Sequence, residues 1–458
     1  MSTIETGTPY ATPGTPSFAA ATAAYNLNST PSPAQAVTVT TVAEAREAIT
    51  FASARGIGVR VFSTGHSAES AAPFADELLV RTRFQGIFEV DEAARTARVP
   101  AGANWGDVAT AVNPLGLTAL HGSSYDVGVV GFLAGGGASL YGRRYGVSSN
   151  SVLELTVLTA DGELRTVSHR SDPELFWALR GGGGGLGIVT SVVIPLIPMP
   201  SVVTGIAFWD MEHAPALLAA WETWTRTAPR SASTALRVMN IPPVPGFPDT
   251  ISGHPVLAVD GAIVDGTDGS ADDIGRGLLE PLSAIAEPLF STWHRGAPED
   301  VLVTHLDPPE PLPYVLDSFL IDDLGGAGQR ALLDGVAAGP SLMVMELRHL
   351  EGAFSDRSAA GGAVDHFDGK YIYMAFGAVD AEHPAEASLA ELDHLREELR
   401  PWASGYTMPN FIGGYSRPQR SFDEQTAARV ASIRRRVDPD GIFSSNVVPG
   451  AAGLPLPR

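Results

Sequence analysis

The stretch SDPELFWALRGGGGGLGIVTSVVIP, residues 171–195, decides which fold this chain adopts. Gly182, Gly184 and Gly187 spell G-x-G-x-x-G, the spacing of a dinucleotide-binding turn. In that turn a strand enters the glycines and a helix leaves them, so that the helix N-terminus faces the pyrophosphate. Here the order is reversed. Asp172 is an N-cap acceptor and Pro173 suits the first helical position, so a helix runs into the glycines. The β-branched run at 188–194 leaves them as a strand. A nicotinamide-binding dehydrogenase is therefore disfavoured.

Two related features lie upstream. HGSSYDVGVVGFLAGGGASLYGRRYG, at 121–146, is a second glycine cluster, and VFSTGHSAES, at 61–70, sets His66 on a glycine-flanked turn after a β-branched run. Glycines let backbone N–H groups approach a phosphate closely and form concavities that hold anions. Either cluster alone reads equally well as tight turns, and His66 alone as a loop histidine. Together in one segment they favour a large anionic cofactor, with Arg143, Arg144 and Arg180 beside the clusters to offset its charge.

Composition narrows the function classes. The chain has 458 residues, 44% of them apolar, enough for two to three cores. Acidic residues outnumber basic ones by 51 to 30, a net charge of −21, which repels nucleic acid and anionic membrane surfaces. There is no cysteine, so disulfides, thiolate metal sites and a cysteine nucleophile are excluded. Redox chemistry must come from a cofactor. The first residues lack a basic segment followed by an apolar core, and a cytoplasmic location is the expectation. The uncharged stretch 181–209 is broken by Pro195, Pro198 and Pro200 and reads as a strand and linker rather than a membrane span.

Along the chain, residues 1–30 read as a loose arm rich in Thr, Pro, Ser and Ala. Thr41 and Glu44 then form a capping box for a helix that Gly56 stops, and strands and hairpins follow. Past the Pro-rich linker come apolar or alternating runs at 202–209, 233–241, 254–264, 301–306, 341–350 and 370–379, with helices between them. The expected fold class is α+β: a cofactor domain over 31–200 and a substrate domain over 201–405, built on an antiparallel sheet covered by helices. Residues 406–458 form a C-terminal segment opened by a second capping box, Ser421 with Glu424.

The pieces GVRVFSTGHS, GSSYDVGVVGFLAGGGASLYGRRYGVSSNSV, LTVLTADGEL, DPELFWALRGGGGGLGIVTS, ELRHLEGA and VDPDGIFSSN occur in one order across nearly the whole chain. In that order they resemble flavoproteins with a vanillyl-alcohol-oxidase or PCMH-type FAD domain, and among them the berberine-bridge-enzyme-like oxidases, particularly the bacterial ones. The resemblance implies FAD bonded through its 8α carbon to His66. Many relatives add a second link through a cysteine at the position of Ser124, so here only a single link is possible. It also implies that Ser63, Thr64, Gly65 and Ser67 hold the pyrophosphate. Gly122, Ser123, Ser124, Val127, Gly128 and Gly131 would line the ring and diphosphate. Gly135, Gly136, Asn150, Gly187 and Val189 would complete the cradle, and Asn446 would close over the ring, the C-terminal segment having returned to the FAD domain.

The implied activity is oxidation of a small organic alcohol, amine or polyketide-like molecule in secondary metabolism, with molecular oxygen as acceptor. Relatives that oxidise alcohols often use a tyrosine directly after an asparagine as base; the matching pair here is Asn410-Phe411, which lacks the phenol. Strand alternation sends Tyr371 and Tyr373 to one face and pairs Glu346 with Arg348 on another strand, so these are the candidate catalytic groups, with His366, Tyr406 and Tyr415 as further ones. An amine could also lose hydride from its neutral form with no base. An oxygenase or oxidative cyclase, and a flavin-holding protein with little turnover, are the alternatives.

Overall fold

The computed structural model describes residues 10–86, 88–243, 246–417 and 419–445. The helix Val42–Arg55 begins with the capping box of Thr41 and Glu44 and ends at Gly56, whose φ of +62° is left-handed. Its face of Ala45, Ala48, Ile49 and Ala52 packs with Val59, Leu78 and Val80. Those residues belong to a parallel sheet in the order Gln35–Val39, Leu78–Thr82, Val59–Phe62 and Phe443–Ser444. The last of these strands comes from the C-terminal segment and pairs beside the strand that leads into His66.

A second sheet is antiparallel and runs Glu89–Asp91, Thr96–Pro100, Ile188–Pro195, Glu154–Leu158, Leu164–Ser168. The helix Pro173–Leu179, capped by Asp172, runs into the glycines and Ile188–Pro195 leaves them, the reversed order that the sequence dictates.

The third sheet is antiparallel and forms the other half of the molecule. Its main path is Phe290–Ser291, Val202–Asp210, Pro255–Ile263, Ala232–Asn240, Leu342–His349, Tyr371–Ala378, Tyr314–Ile321. One face packs against the helices Ala214–Thr225, Gly325–Ala337 and Ala385–Leu399 through Trp209, Trp221, Leu236, Leu257, Met345 and Leu347. The other face looks across a cleft toward the half built on the first two sheets.

Four expectations need correction. Residues 301–306 are not a strand: Val301–Thr304 is a short helix following Pro298, and the strand Tyr314–Ile321, buried throughout, takes the sheet edge. The loose arm is ordered where described, with the helix Pro16–Thr22 capped by Thr15 and Ala21 fully buried. Arg81 ties this segment down, donating to the Ala21 carbonyl (2.7 Å) and to the Ser63 carbonyl (2.6 Å). The last long helix, Glu424–Val437, is capped by Asp423 rather than by Ser421, because the Asp423 carboxylate accepts from Thr426 N–H at 2.6 Å. Tyr371 and Tyr373 share a face, but it is the helix-covered one. Both are fully buried in that core, Tyr371 within 2.6 Å of the Thr225 hydroxyl, while Ile372, Met374 and Phe376 turn to the opposite side.

Candidate active site

Between the two halves lies a cavity of about 1000 Å³. Its size is at the top of the range of about 300–1,000 Å³ usual for small-molecule sites, which accommodates a large cofactor together with a substrate.

One wall is the turn that follows the strand Val59–Phe62. Ser63, Thr64, Gly65, His66 and Ser67 all line the cavity. Gly65 has φ +88°, and a Cβ there would fall 2.8 Å from the Ala23 carbonyl oxygen, so only glycine fits. The His66 ring stacks on Tyr25 with centroids 4.1 Å apart, and its Nε2 lies 3.1 Å from Asp126 Oδ2. Ser124 donates to the other oxygen of that carboxylate at 2.5 Å. Burial opposes the Asp126 charge, but the contacts from His66 and Ser124 outweigh it and hold the carboxyl below its usual range.

The next wall is the first glycine cluster. Gly122, Ser123, Ser124, Val127, Gly128, Gly131 and Gly135 line the cavity, as does Val189 from the strand beyond the second cluster. Gly128 N–H donates to Thr64 Oγ1 at 3.3 Å, and a Cβ on Gly128 would strike Ser63 Oγ at 2.7 Å. The two loops are thus packed at glycine distance. The second cluster contributes Gly183, Gly184 and Gly185, which the sequence reading passed over for Gly187.

Three expected cradle residues lie outside the lining. Gly187 keeps strands close, since a Cβ would sit 2.6 Å from the Leu158 carbonyl oxygen. Gly136, at φ +99°, backs onto Val364. Asn150 clasps another loop, donating to the Asp365 carbonyl (2.7 Å) and accepting from Gly362 N–H (3.0 Å). Asn446 falls outside the described residues.

The residues present fit a phosphate-bearing flavin on two counts. Ser63 Oγ is buried at the cavity with no hydrogen-bond partner in the protein. Gly131 and Gly184 have nothing within 4 Å of where a Cβ would stand, so their backbone faces open cavity. An unmet polar atom and bare backbone at a concavity are what an anion-bearing group requires.

The opposite wall is the free face of the third sheet. It is largely apolar, with Met239, Ile241, Leu316, Met374, Phe376 and Phe411. At one end, alternation brings charge into it. Arg237 stands opposite Glu346 in the register of neighbouring strands, and Arg348 is two residues further on. Glu346 accepts from Arg348 Nε at 2.7 Å and contacts His305 Nε2 at 3.1 Å, while His305 Nδ1 lies 2.9 Å from Asp260 Oδ2. Burial works against the imidazolium and Arg237 repels it, yet Asp260 and Glu346 raise His305 to about 9. Burial likewise opposes the Glu346 charge, but Arg348 and His305 hold it well below the carboxylate range. Glu346 therefore reaches the cavity with both oxygens engaged, which suits a fixed charge rather than a proton acceptor.

His305 and Asp260 gave no sequence signal, because nothing local pairs them with Glu346. Asn410, by contrast, is half of the dipeptide whose partner drew attention. Its Nδ2 donates to the Phe132 carbonyl and its Oδ1 accepts from Gly137 N–H, both at 2.9 Å. Glu69, also lining the cavity, has a buried Oε2 with no partner, and burial pushes the carboxyl up to about 8.

Residues 33–168 match the family described as FAD binding domain. The whole chain superposes on Physcomitrella patens BBE-like 1 with a TM-score of 0.83 and 20% identity, covering 98% of this chain and 97% of that one. A structure of glucooligosaccharide oxidase from Acremonium strictum, whose FAD is named as 6-S-cysteinyl, 8α-N1-histidyl, gives 0.79 at 18% identity and covers 97% of each chain. Among curated sequences, FAD-linked oxidoreductase dpmaF of Metarhizium anisopliae is 32% identical over 235 residues, half of this chain and 46% of the relative. The first curated relatives are matched over less than half of their own length, between 36 and 46%.

The fold and its cleft thus define an α+β flavin-binding protein: a PCMH-type FAD-binding domain joined to an antiparallel substrate sheet covered by helices. Along nearly its full length the chain shares the two-domain fold of BBE-like 1 from Physcomitrella patens. Among the described residues no helix is long and apolar enough to cross a membrane.

Proposed function

We propose that this protein is an FAD-dependent oxidase of a small organic alcohol, amine or polyketide-like molecule, with its flavin bonded through the 8α carbon to His66 and dioxygen as the acceptor. The observation that carries the reading is one cavity lined at once by the His66 turn, both glycine clusters and the free face of the third sheet.

When bound, FAD supplies a hydride acceptor and passes the electrons on. The protein's part is to hold, orient and exclude water. Ser63 Oγ and the backbone of the 63–67 turn hold the pyrophosphate, with Gly122, Ser123, Val127, Gly128, Gly131, Gly135 and Val189 around the ring and diphosphate. Gly183, Gly184 and Gly185 extend that seat. His66 has the chemistry for a covalent link, since a neutral imidazole nitrogen is a nucleophile. Ser124 occupies the position of the cysteine that a second link would need, so the link is single. The apolar wall with Met239, Met374, Phe376 and Phe411 excludes water around the substrate, and the Arg348–Glu346 end orients a polar substituent.

Phe411 favours one refinement. It lines the cavity next to Asn410 and brings no acidic proton, so the substrate that fits best loses hydride without a protein phenolate: an amine in its neutral form. A cytoplasmic location goes with this proposal, and cell fractionation tests it. The test of function is an anaerobic screen of amines, alcohols, sugars and phenols for loss of the flavin absorption band, followed by admission of air. Bleaching and full recovery with one substrate class supports an oxidase. A yellow protein that none of them bleaches leaves a flavin-holding protein with little turnover.

A further inference from the structure

We infer that Asp126 is the positioning residue for covalent attachment of the flavin: it fixes the tautomer of His66 so that Nδ1, and not Nε2, is the bonding atom. This rests on the histidyl link proposed above and goes beyond it by naming the group that orients the imidazole for it.

The argument starts from the ring. A neutral imidazole carries one N–H and one lone pair, and the partner of one nitrogen decides which is which. Nε2 of His66 lies 3.1 Å from Asp126 Oδ2, within hydrogen-bond distance. An ionised carboxylate only accepts, so the proton resides on Nε2 and the lone pair on Nδ1. The carboxylate is itself aimed. Ser124 donates to Asp126 Oδ1 at 2.5 Å, which leaves Oδ2 for the histidine. Tyr25 stacks on the imidazole at an interplanar angle of 22° and restricts its rotation. Ser124 and the His66 turn line the cavity in which the cofactor domain would seat a flavin, and Asp126 lies behind them, outside the lining, in contact with both. The serine that stands in for a second attachment point therefore serves the first.

The step balances as follows. The Nδ1–C8α bond forms and one C–H bond of the 8α methyl breaks. That proton and the imidazole N–H proton leave, and the two electrons gained by the flavin ring pass with them to dioxygen as hydrogen peroxide. During bond formation the ring gains positive charge, and Asp126 lies where that charge is best met.

The test uses the full chain prepared without flavin from riboflavin-limited cells, mixed with saturating FAD and followed by the acid-resistant fraction of flavin. Asp126→Asn is expected to slow covalent incorporation by about 10- to 100-fold, as loss of a hydrogen bond to a charged group implies. Its affinity for FAD before the link forms should stay close to that of the parent protein. Ser124→Ala should slow it less. A purely structural role would weaken FAD binding and leave the rate at saturation unchanged, which overturns the inference. So would a ¹⁵N spectrum of the flavin-free parent protein showing His66 protonated at Nδ1. If the parent protein itself acquires no acid-resistant flavin, the histidyl reading fails instead; if it does and Asp126→Asn matches its rate, only the role of Asp126 falls.

Discussion

Asn410 bridges the two halves of the molecule by gripping Gly137: its Oδ1 accepts from Gly137 N–H at 2.9 Å while its Nδ2 donates to the Phe132 carbonyl at the same distance. The side chain spans a turn of the first glycine cluster, and the next residue, Phe411, is tied through its carbonyl to the Ser318 hydroxyl on the third sheet. A Cβ on Gly135 would strike the Asn410 amide at 2.5 Å, so the asparagine and the bare glycine are matched.

Asn410→Ala removes both bonds, leaving the Gly137 N–H without its acceptor and the Phe132 carbonyl with Gly135 N–H. The expected cost is about 1–3 kcal/mol of stability, with weaker retention of non-covalent FAD in a His66→Ala background. Thermal unfolding and a flavin-fluorescence titration check both.

The corrected placement of the two tyrosines makes a sharp expectation. Tyr371→Phe gives up its contact with Thr225 and should cost about 1 kcal/mol. Tyr373→Phe deletes a buried hydroxyl with no partner and should be neutral or slightly stabilising. Neither should change the rate of anaerobic flavin reduction, because both hydroxyls lie on the helix-covered side of the sheet. A tenfold fall in that rate for either variant would return the tyrosine to the site.

The Glu346 network should show in the pH dependence of unfolding. His305 is raised from 6.5 to about 9, so its contribution to stability is complete below pH 6.5 and is lost as pH rises through 9. Glu346→Gln withdraws one of the two carboxylates responsible. It should destabilise the protein by about 3–5 kcal/mol at pH 6, as expected for breaking a buried ion pair, and flatten the fall in Tm between pH 6.5 and 9.

Glu69 gives a slope in a different window. Its carboxyl is raised from 4.5 to about 8, so the stability of its neutral form is present below pH 4.5 and is lost as pH climbs toward 8. Glu69→Gln keeps the shape without the charge. The variant should therefore exceed the parent in Tm at pH 8, by roughly 2 °C or more, and match it near pH 4.5.

Much of this architecture was legible from local signals. The capping box at Thr41, the Asp172-Pro173 helix start and the glycines between helix and strand each carry their own chemistry and need no distant partner. What escaped was set by tertiary contact. Alternation placed Tyr371 and Tyr373 together, but which face meets the cleft depends on where the helices settle. A run of glycines shows that backbone comes close to something, not to what: Gly184 faces open cavity while Gly187 faces a strand. Residues 301–306 read as a strand on β-branched content, and Pro298 with its capping Asp300 turned them into a helix. Sheet register places Asp260 and Glu346, and His305 reaches both from the end of the short helix Val301–Thr304; sequence spacing holds no trace of that.

The most direct test is the intact mass of the acid-denatured protein. The parent chain should be heavier than its sequence by one FAD, and His66→Ala should have the bare sequence mass even when it is purified yellow. A parent protein at its sequence mass, or a His66→Ala chain that still carries the added flavin, would contradict the account.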